Sequence, residues 1–282
     1  MSKTTVRNKV VVITDALSGL GNECAKIFHK DGARLILCGK SWERLESLSE
    51  KLSVDCDPTL TYPTKLVLLD FRDMESLPDV IAEVMECYGC LDVLIINSSM
   101  KVKGPVQDTS LELDHAVMDI NYFGPITLAK GLLPSMISRR GGHILLVNSI
   151  QGKLALPFRT TYAASKHAVQ AFFDCLRAEV QEYGIYVSTI NHTFISGPLR
   201  AKKDPATESS SSALSPSQYL GISPEEMASE IVKTLSSKKK EVVLARVLSK
   251  AAIYARALFP NLVFSVTAAG VKCKAAVLDQ DL

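Results

Sequence analysis

Apolar runs alternate with amphipathic stretches along most of the chain, and nearly every run ends in small or polar residues. Residues 9–14 read K-V-V-V-I-T, a β-branched run of the kind that lies in the middle of a parallel sheet, buried on both faces. The same signal returns over 34–38, 65–69, 93–96, 143–147, 186–190 and 241–244. Between these runs the spacing predicts helices over 41–52, about 74–88, around Asn121, from after Pro125 to about Arg139, and from Tyr162 to about Tyr183. A further helix opens at Pro224, with Glu225 and Glu226 in the first turn where a helix dipole favours acids. Alternating strands and helices predict an α/β fold: a Rossmann-like, doubly wound parallel β-sheet with helices on both faces. With 282 residues at 47% apolar content, one domain can bury a large core.

Residues 1–250 are expected to form that domain, and 251–282 an apolar C-terminal extension. The stretch 196–221 is polar, with prolines, lysines and the serine run 209–212, and it follows a strand end. It suits a lid over substrate as well as a plain surface loop. Residues 257–271 read A-L-F-P-N-L-V-F-S-V-T-A-A-G-V, without a charge but interrupted by Pro260 and Asn261. That is too short and broken to span a bilayer as a straight helix, yet suited to lying in its interface, with Arg256, Lys272 and Lys274 flanking it and Phe259 and Phe264 as anchors. Packing on the domain or on a dimer partner is the competing expectation.

Charge narrows the function classes. Lys plus Arg number 32 against 30 Asp plus Glu, a formal +2, which gives no reason to expect a nucleic-acid partner. Seven scattered cysteines argue against a disulfide framework and for a reducing compartment. Cys87-Tyr-Gly-Cys90 has redox-like spacing but no second pair for zinc, so it reads as a turn; no metal site is expected. The opening M-S-K-T-T-V-R-N-K does not resemble a signal peptide or a membrane span. The sequons at Asn97 and Asn191 fall at strand ends beside the candidate site, where a glycan would block it.

The chemistry concentrates in T-Y-A-A-S-K-H-A, residues 161–168. Tyr162 and Lys166 are four apart, so a helix places both on one face. A free phenol ionises near pH ~10, and a neighbouring ammonium lowers that value, so Tyr162 could exchange a proton with a carbonyl or alcohol oxygen near neutrality. Ser149 follows the strand 143–147, at the sheet edge where open parallel sheets build their sites, within reach of the same oxygen. Residues 14–21 read T-D-A-L-S-G-L-G, a strand-to-helix turn whose glycines would let backbone approach a pyrophosphate.

These residues, together with N-Y-F-G-P at 121–125, S-I-Q-G-K at 149–153 and P-F-R-T-T-Y-A-A-S-K-H-A from Pro157, resemble the short-chain dehydrogenase/reductase family over about 8–244. The resemblance implies a catalytic tetrad of Asn121, Ser149, Tyr162 and Lys166, with Asn121 supporting a water-linked proton relay. It implies an NAD(P)-dependent oxidoreductase acting on a CH–OH group or its carbonyl. The substrate class it suggests is a small lipophilic alcohol or carbonyl of retinoid or steroid type, and the assembly a homodimer. It also implies a membrane surface of the endoplasmic or sarcoplasmic reticulum, whereas the chain as given, without an N-terminal anchor, would suit the cytoplasm.

On the cofactor side the resemblance assigns Thr14, Asp15, Leu17, Ser18, Gly19, Leu20, Lys40, Asp70 and Asn97, with Tyr162 and Lys166. Asp15 stands where the family's motif has its first glycine, Asn97-Ser98-Ser99 replaces N-A-G, and His192-Thr193 followed by Gly197 replaces P-G followed by threonine. A carboxylate near a pyrophosphate should weaken binding. A catalytically weak or silent binding protein on the same fold is therefore the alternative expectation. The second strand ends in Cys38-Gly39-Lys40, with no acid for ribose hydroxyls and a lysine suited to a 2′-phosphate, so NADP(H) is favoured over NAD(H).

Overall fold

The computed structural model describes residues 6–54, 56, 57, 59–195 and 221–278, with side chains of the last helix described as far as 271. In chain order the elements are β1 Val10–Ile13, α1 Gly19–Lys30, β2 Arg34–Gly39, α2 Trp42–Val54, β3 Lys65–Leu68, α3 Leu77–Tyr88, β4 Val93–Ile96, α4 Leu111–Met118, α5 Gly124–Ser138, β5 Gly142–Ser149, α6 Thr160–Glu179, β6 Ile185–His192, α7 Pro224–Ser237, β7 Glu241–Leu244, α8 Val247–Leu258 and α9 Pro260–Leu278.

The strands form one sheet in the order β3-β2-β1-β4-β5-β6-β7. Every pairing is parallel. The order reverses between β1 and β4, so the C-terminal ends of those two strands flank a crevice of the kind in which open α/β sheets bind ligands. Helices cover both faces. One core joins Val10, Val12 and Leu94 to Val84 of α3, Leu132 of α5 and Phe173 of α6. The other joins Val11, Ile13 and Ile95 to Phe28 of α1, Leu45 of α2 and Ile231 of α7. The expected doubly wound α/β architecture is the one observed.

Local chemistry sets the boundaries. Ser18 caps α1 by accepting from the Gly21 N–H at 3.0 Å. Ser223 and Glu226 close a capping box on α7, which begins at the expected Pro224. Gly89, at φ 66, ends α3, so Cys87 and Cys90 mark a helix stop, and both are free. The helix expected around Asn121 is a π-helical turn, Asp119–Phe123, joining α4 to α5. β5 and β6 run further than their apolar cores, because Asn148, Ser149, Asn191 and His192 continue the pairing, with Ser149 opposite His192. The expected polar loop over 196–221, including Gly197, lies outside the described residues apart from Gly221.

Beyond β7, α8 and α9 pack mainly on each other and leave Val247, Leu248, Tyr254, Leu258, Phe259, Leu262, Phe264 and Val266 exposed. The break falls at Phe259 and Pro260, as the interruption predicted. The side chains of Lys272 and Lys274 lie outside the described ones. Among the described residues no helix is long and apolar enough to cross a membrane.

Candidate active site

The first crossover turn is knotted by one hydroxyl. Ser18 Oγ donates to the Asp15 carbonyl at 2.8 Å and accepts from the Gly21 N–H at 3.0 Å and from Asn97 Nδ2 at 3.0 Å. Thr14, fully buried, accepts the Asn97 backbone N–H at 2.8 Å, which locks the ends of β1 and β4 together. Gly21 is needed for this closeness, since a Cβ there would lie 2.2 Å from the Asp15 carbonyl oxygen. Leu17 packs beneath Gly39, where a Cβ would come within 2.9 Å of Leu17 Cδ1.

Asp15 takes φ 49, a left-handed conformation that explains why glycine suits this place and why aspartate, among the better tolerated residues there, can stand in. Its side chain is open to water on one side, yet crowding by protein pushes its carboxyl up to about 6. Lys40, Arg44 and the Ser18 hydroxyl pull in the opposite direction. Asp15 borders two adjoining depressions. One is lined by Gly39, Lys40, Leu69, Phe71 and Ile120; the other holds Gly19, Leu20, Asn97, Tyr162, Lys166 and His192. Ser98 and Ser99 line both.

Lys40 is not free at the end of β2, because its ammonium meets Asp70 at 2.9 Å. Arg72 grips the same carboxylate at 2.6 Å. Partial burial works against that charge, but the Arg72 and Lys40 contacts outweigh it and hold the Asp70 carboxyl far below the usual range.

Tyr162 and Lys166 share the wall of the second depression, and both are buried. Lys166 Nζ lies 5.9 Å from the Tyr162 ring centroid and donates to the Ser98 carbonyl at 3.2 Å. Burial first, and then the Lys101 ammonium, pushes Lys166 down to about 7. Helix α6 is seated by close backbone contact: a Cβ on Gly152 would lie 2.6 Å from both Asn148 Nδ2 and the Lys166 carbonyl oxygen. Asn148 in turn donates to the Lys166 carbonyl and to Gln170 Oε1, each at 3.2 Å.

Ser149 sits at the tip of β5, with Oγ accepting from the Gln151 N–H at 3.1 Å and capping a short 3-10 turn. The cavity wall beside Tyr162 is made by Val147 and Asn148 rather than by Ser149. Asn121 is buried and acts through neighbours. Its Oδ1 accepts from Met100 N–H at 2.7 Å, and its Nδ2 donates to the Met100 carbonyl at 2.9 Å and to Ser165 Oγ at 3.0 Å. Ser165 Oγ donates onward to the Tyr162 carbonyl at 2.8 Å. Asn121 thus ties the loop after β4 to α6.

The structure also brings in groups that the sequence pattern did not single out for this site. Lys101 reaches the cavity from the loop after β4, and Arg44 lies close enough to affect the Asp15 charge. His192 lines the cavity, and its Nδ1 has no partner among the described residues. The sequon Asn191 is fully buried in the sheet. Only the altered P-G motif hinted at His192, and nothing in the pattern pointed to Lys101.

A doubly wound sheet whose first crossover is a tight glycine turn, with a buried tyrosine and lysine sharing one cavity at the strand ends, is the architecture of a dehydrogenase/reductase. The short chain dehydrogenase family pattern matches residues 9–208, and the chain belongs to that family of oxidoreductase enzymes. It falls in the branch of members 7B and 7C. It is 64% identical over 281 residues to dehydrogenase/reductase SDR family member 7C-B of Danio rerio, spanning 100% of this chain and 88% of that relative. Identity to member 7C of Homo sapiens is 55% over 281 residues, spanning 99% of this chain and 90% of that one. Among solved structures, the L-sorbose reductase from Gluconobacter frateurii, complexed with NADPH and L-sorbose, matches with a TM-score of 0.75 at 24% identity over 86% of this chain and 97% of that chain. That likeness concerns the fold.

Proposed function

We propose that the protein is an NADP(H)-dependent oxidoreductase that moves a hydride between the nicotinamide and a lipophilic alcohol or carbonyl of retinoid or steroid type. The observation that carries this is the Tyr162–Lys166 pair in one cavity wall at the strand ends. Tyr162 is the acid/base, giving a proton to a carbonyl oxygen or taking one from an alcohol. Lys166 binds the nicotinamide ribose, and an anion in the groove restores the ammonium charge that burial removes. Ser149 is assigned to the substrate oxygen from the tip of β5, one residue beyond the Val147–Asn148 wall, and Asn121 supports proton relay while fixing the loop after β4. Ile195 in the cavity wall and Phe194 beside it, 44% exposed, offer apolar surface to the substrate.

The residues present fit a dinucleotide. The Gly21 approach and the Ser18 knot hold the α1 N-terminus open to a diphosphate, with Thr14, Leu17, Gly19, Leu20 and Asn97 around it. Lys40 and Arg44 supply positive charge for a 2′-phosphate, and Asp70 serves the adenine side. The bound nicotinamide would supply or accept the hydride. Asp15, bordering both depressions, favours a second reading, a catalytically weak or silent binding protein. Titrating the purified chain by calorimetry separates these. NADPH should bind at least about tenfold more tightly than NADH. Failure of both dinucleotides to bind would leave the silent reading.

We assign 1–250 to the catalytic domain and 251–282 to an apolar extension that lies on an anionic membrane surface, with the subunits associating as homodimers. The exposed apolar side chains of α8 and α9 support this, as does the charge pattern. Arg246, Lys250, Arg256, Lys272 and Lys274 are accompanied by no acid between Glu241 and Asp279.

A further inference from the structure

Asp15 borders the cavity that holds Tyr162, but the cations lining it have no acid paired to them among the described residues. Lys101 lines it together with Tyr162, Lys166 and His192, and does not line the adjoining depression of Lys40 and Phe71. Its ammonium lies 5.3 Å from the Phe194 ring centroid. Arg159 is the N-cap residue of α6, the helix that carries Tyr162. The Gly104 N–H donates to the Phe158 carbonyl at 2.9 Å, which draws the Lys101 loop to this helix end. Among the described residues neither Lys101 nor Arg159 makes an ion pair. The acid at this helix end, Asp114, is engaged by the Thr161 hydroxyl.

Uncompensated cations raise one another's energy. Burial and then Arg159 push Lys101 down; burial and then Lys101 push Lys166 down to about 7. Independently, His192 lines the same cavity at 8% exposure, and its Nδ1 has no partner among the described residues. Burial, followed by Lys101 and Lys166, depresses its pKa to about 3, so at neutral pH the ring has one N–H to donate. A buried polar atom left open in this way needs a partner, which water, an ion or a ligand supplies.

We infer that the substrate carries an anionic group, carboxylate or phosphate, beside its alcohol or carbonyl, and that Lys101, with Arg159 and His192, forms the subsite receiving it. This rests on the proposed role of Tyr162 and deepens it: the lipophilic body lies against Phe194 and Ile195, and the anionic head meets Lys101. The substrate is then an oxo or hydroxy amphiphile, a lipophilic skeleton of the proposed type with one anionic end.

The test uses the full chain saturated with NADP+ and three 4-oxo probes of similar length: 4-oxodecanoate, its methyl ester, and 4-oxononyl phosphate. By calorimetry at least one anionic probe should bind about tenfold more tightly than the ester, and the tighter of the two identifies the group. That preference should fall to about one in Lys101→Gln and persist in Lys101→Arg. Equal binding of all three probes, no binding of any, or a preference that survives Lys101→Gln overturns the subsite. So does a loss of NADP+ affinity in Lys101→Gln as large as the loss for the anion, since Lys101 would then serve the dinucleotide. NADPH consumption with each probe is recorded separately. Selective binding without turnover sinks the hydride-transfer reading and leaves the subsite, whereas turnover without charge preference sinks the subsite and leaves the reaction.

Discussion

Replacing Asp15 by asparagine or glycine should tighten NADPH binding, and the gain should depend on pH. The carboxyl borders both depressions of the groove and is pushed up to about 6, by burial first, against the pull of Lys40, Arg44 and Ser18. With that value it is about 97% ionised at pH 7.5 and about 9% ionised at pH 5. A like charge facing a diphosphate in a partly open groove costs about 1–2 kcal/mol after screening, or roughly 5–30-fold in affinity. Asp15→Asn should therefore improve the NADPH Kd by that factor at pH 7.5 and by less than about twofold at pH 5. Stability gives an independent sign. The folded value lies above the unfolded 3.8, so the contribution is present below about 4 and lost as pH rises through about 6. Taken whole, the shift is worth about 3 kcal/mol, but the side chain is solvent-accessible and screening leaves about 1 kcal/mol. Relative to the parent, Asp15→Asn should gain about that much between pH 4 and pH 7.5 in denaturant titrations. Asp15→Gly should bind NADPH like Asp15→Asn, since glycine also adopts φ 49 without strain. An unchanged NADPH Kd at pH 7.5 in both variants would refute the idea that this carboxylate faces the phosphates, and would remove the main support for a silent protein.

Gly152→Ala drives a methyl to within 2.6 Å of the Lys166 carbonyl oxygen, so the midpoint of chemical denaturation should fall by an amount equivalent to about 1–3 kcal/mol, with turnover falling alongside it. An unshifted midpoint would show that α6 gives way freely. In liposome flotation with anionic vesicles, the full chain should float and a truncation ending at Ser249 should remain at the bottom. Equal partitioning would make the α8–α9 face a protein interface.

The strands were legible because their apolar runs have no competing helical period, and the start of α7 was legible in Pro224 with Glu225 and Glu226, whereas the Ser18 and Ser223 caps emerged from the structure. Polar strand ends were not: Asn148, Ser149, Asn191 and His192 carry no apolar signal, and only pairing with a neighbour keeps them extended. The π turn at Asn121 has no composition of its own; the bonds to Met100 and Ser165 distinguish it, and both partners are distant in sequence. The Tyr162–Lys166 spacing announced the site, whereas Lys101 arrives on a loop whose path depends on Asn121. Lys40 was visible as a cation at a strand end, but its partner Asp70 is supplied by the next strand of the sheet. α8 begins at Val247, ahead of the apolar stretch that marked the extension, because Arg246 and Lys250 mask its start.

If Tyr162 exchanges the proton with the substrate oxygen, Tyr162→Phe, which removes one hydroxyl and little volume, should abolish that exchange while sparing the fold. NADPH affinity and reduction rate should be measured on the same preparation, with a carbonyl substrate that the parent chain turns over. Turnover should fall by about 10²–10⁴ while the NADPH Kd stays within about threefold. Turnover within a few-fold of the parent, with NADPH bound as before, would contradict the assignment of Tyr162 and with it the proposed chemistry.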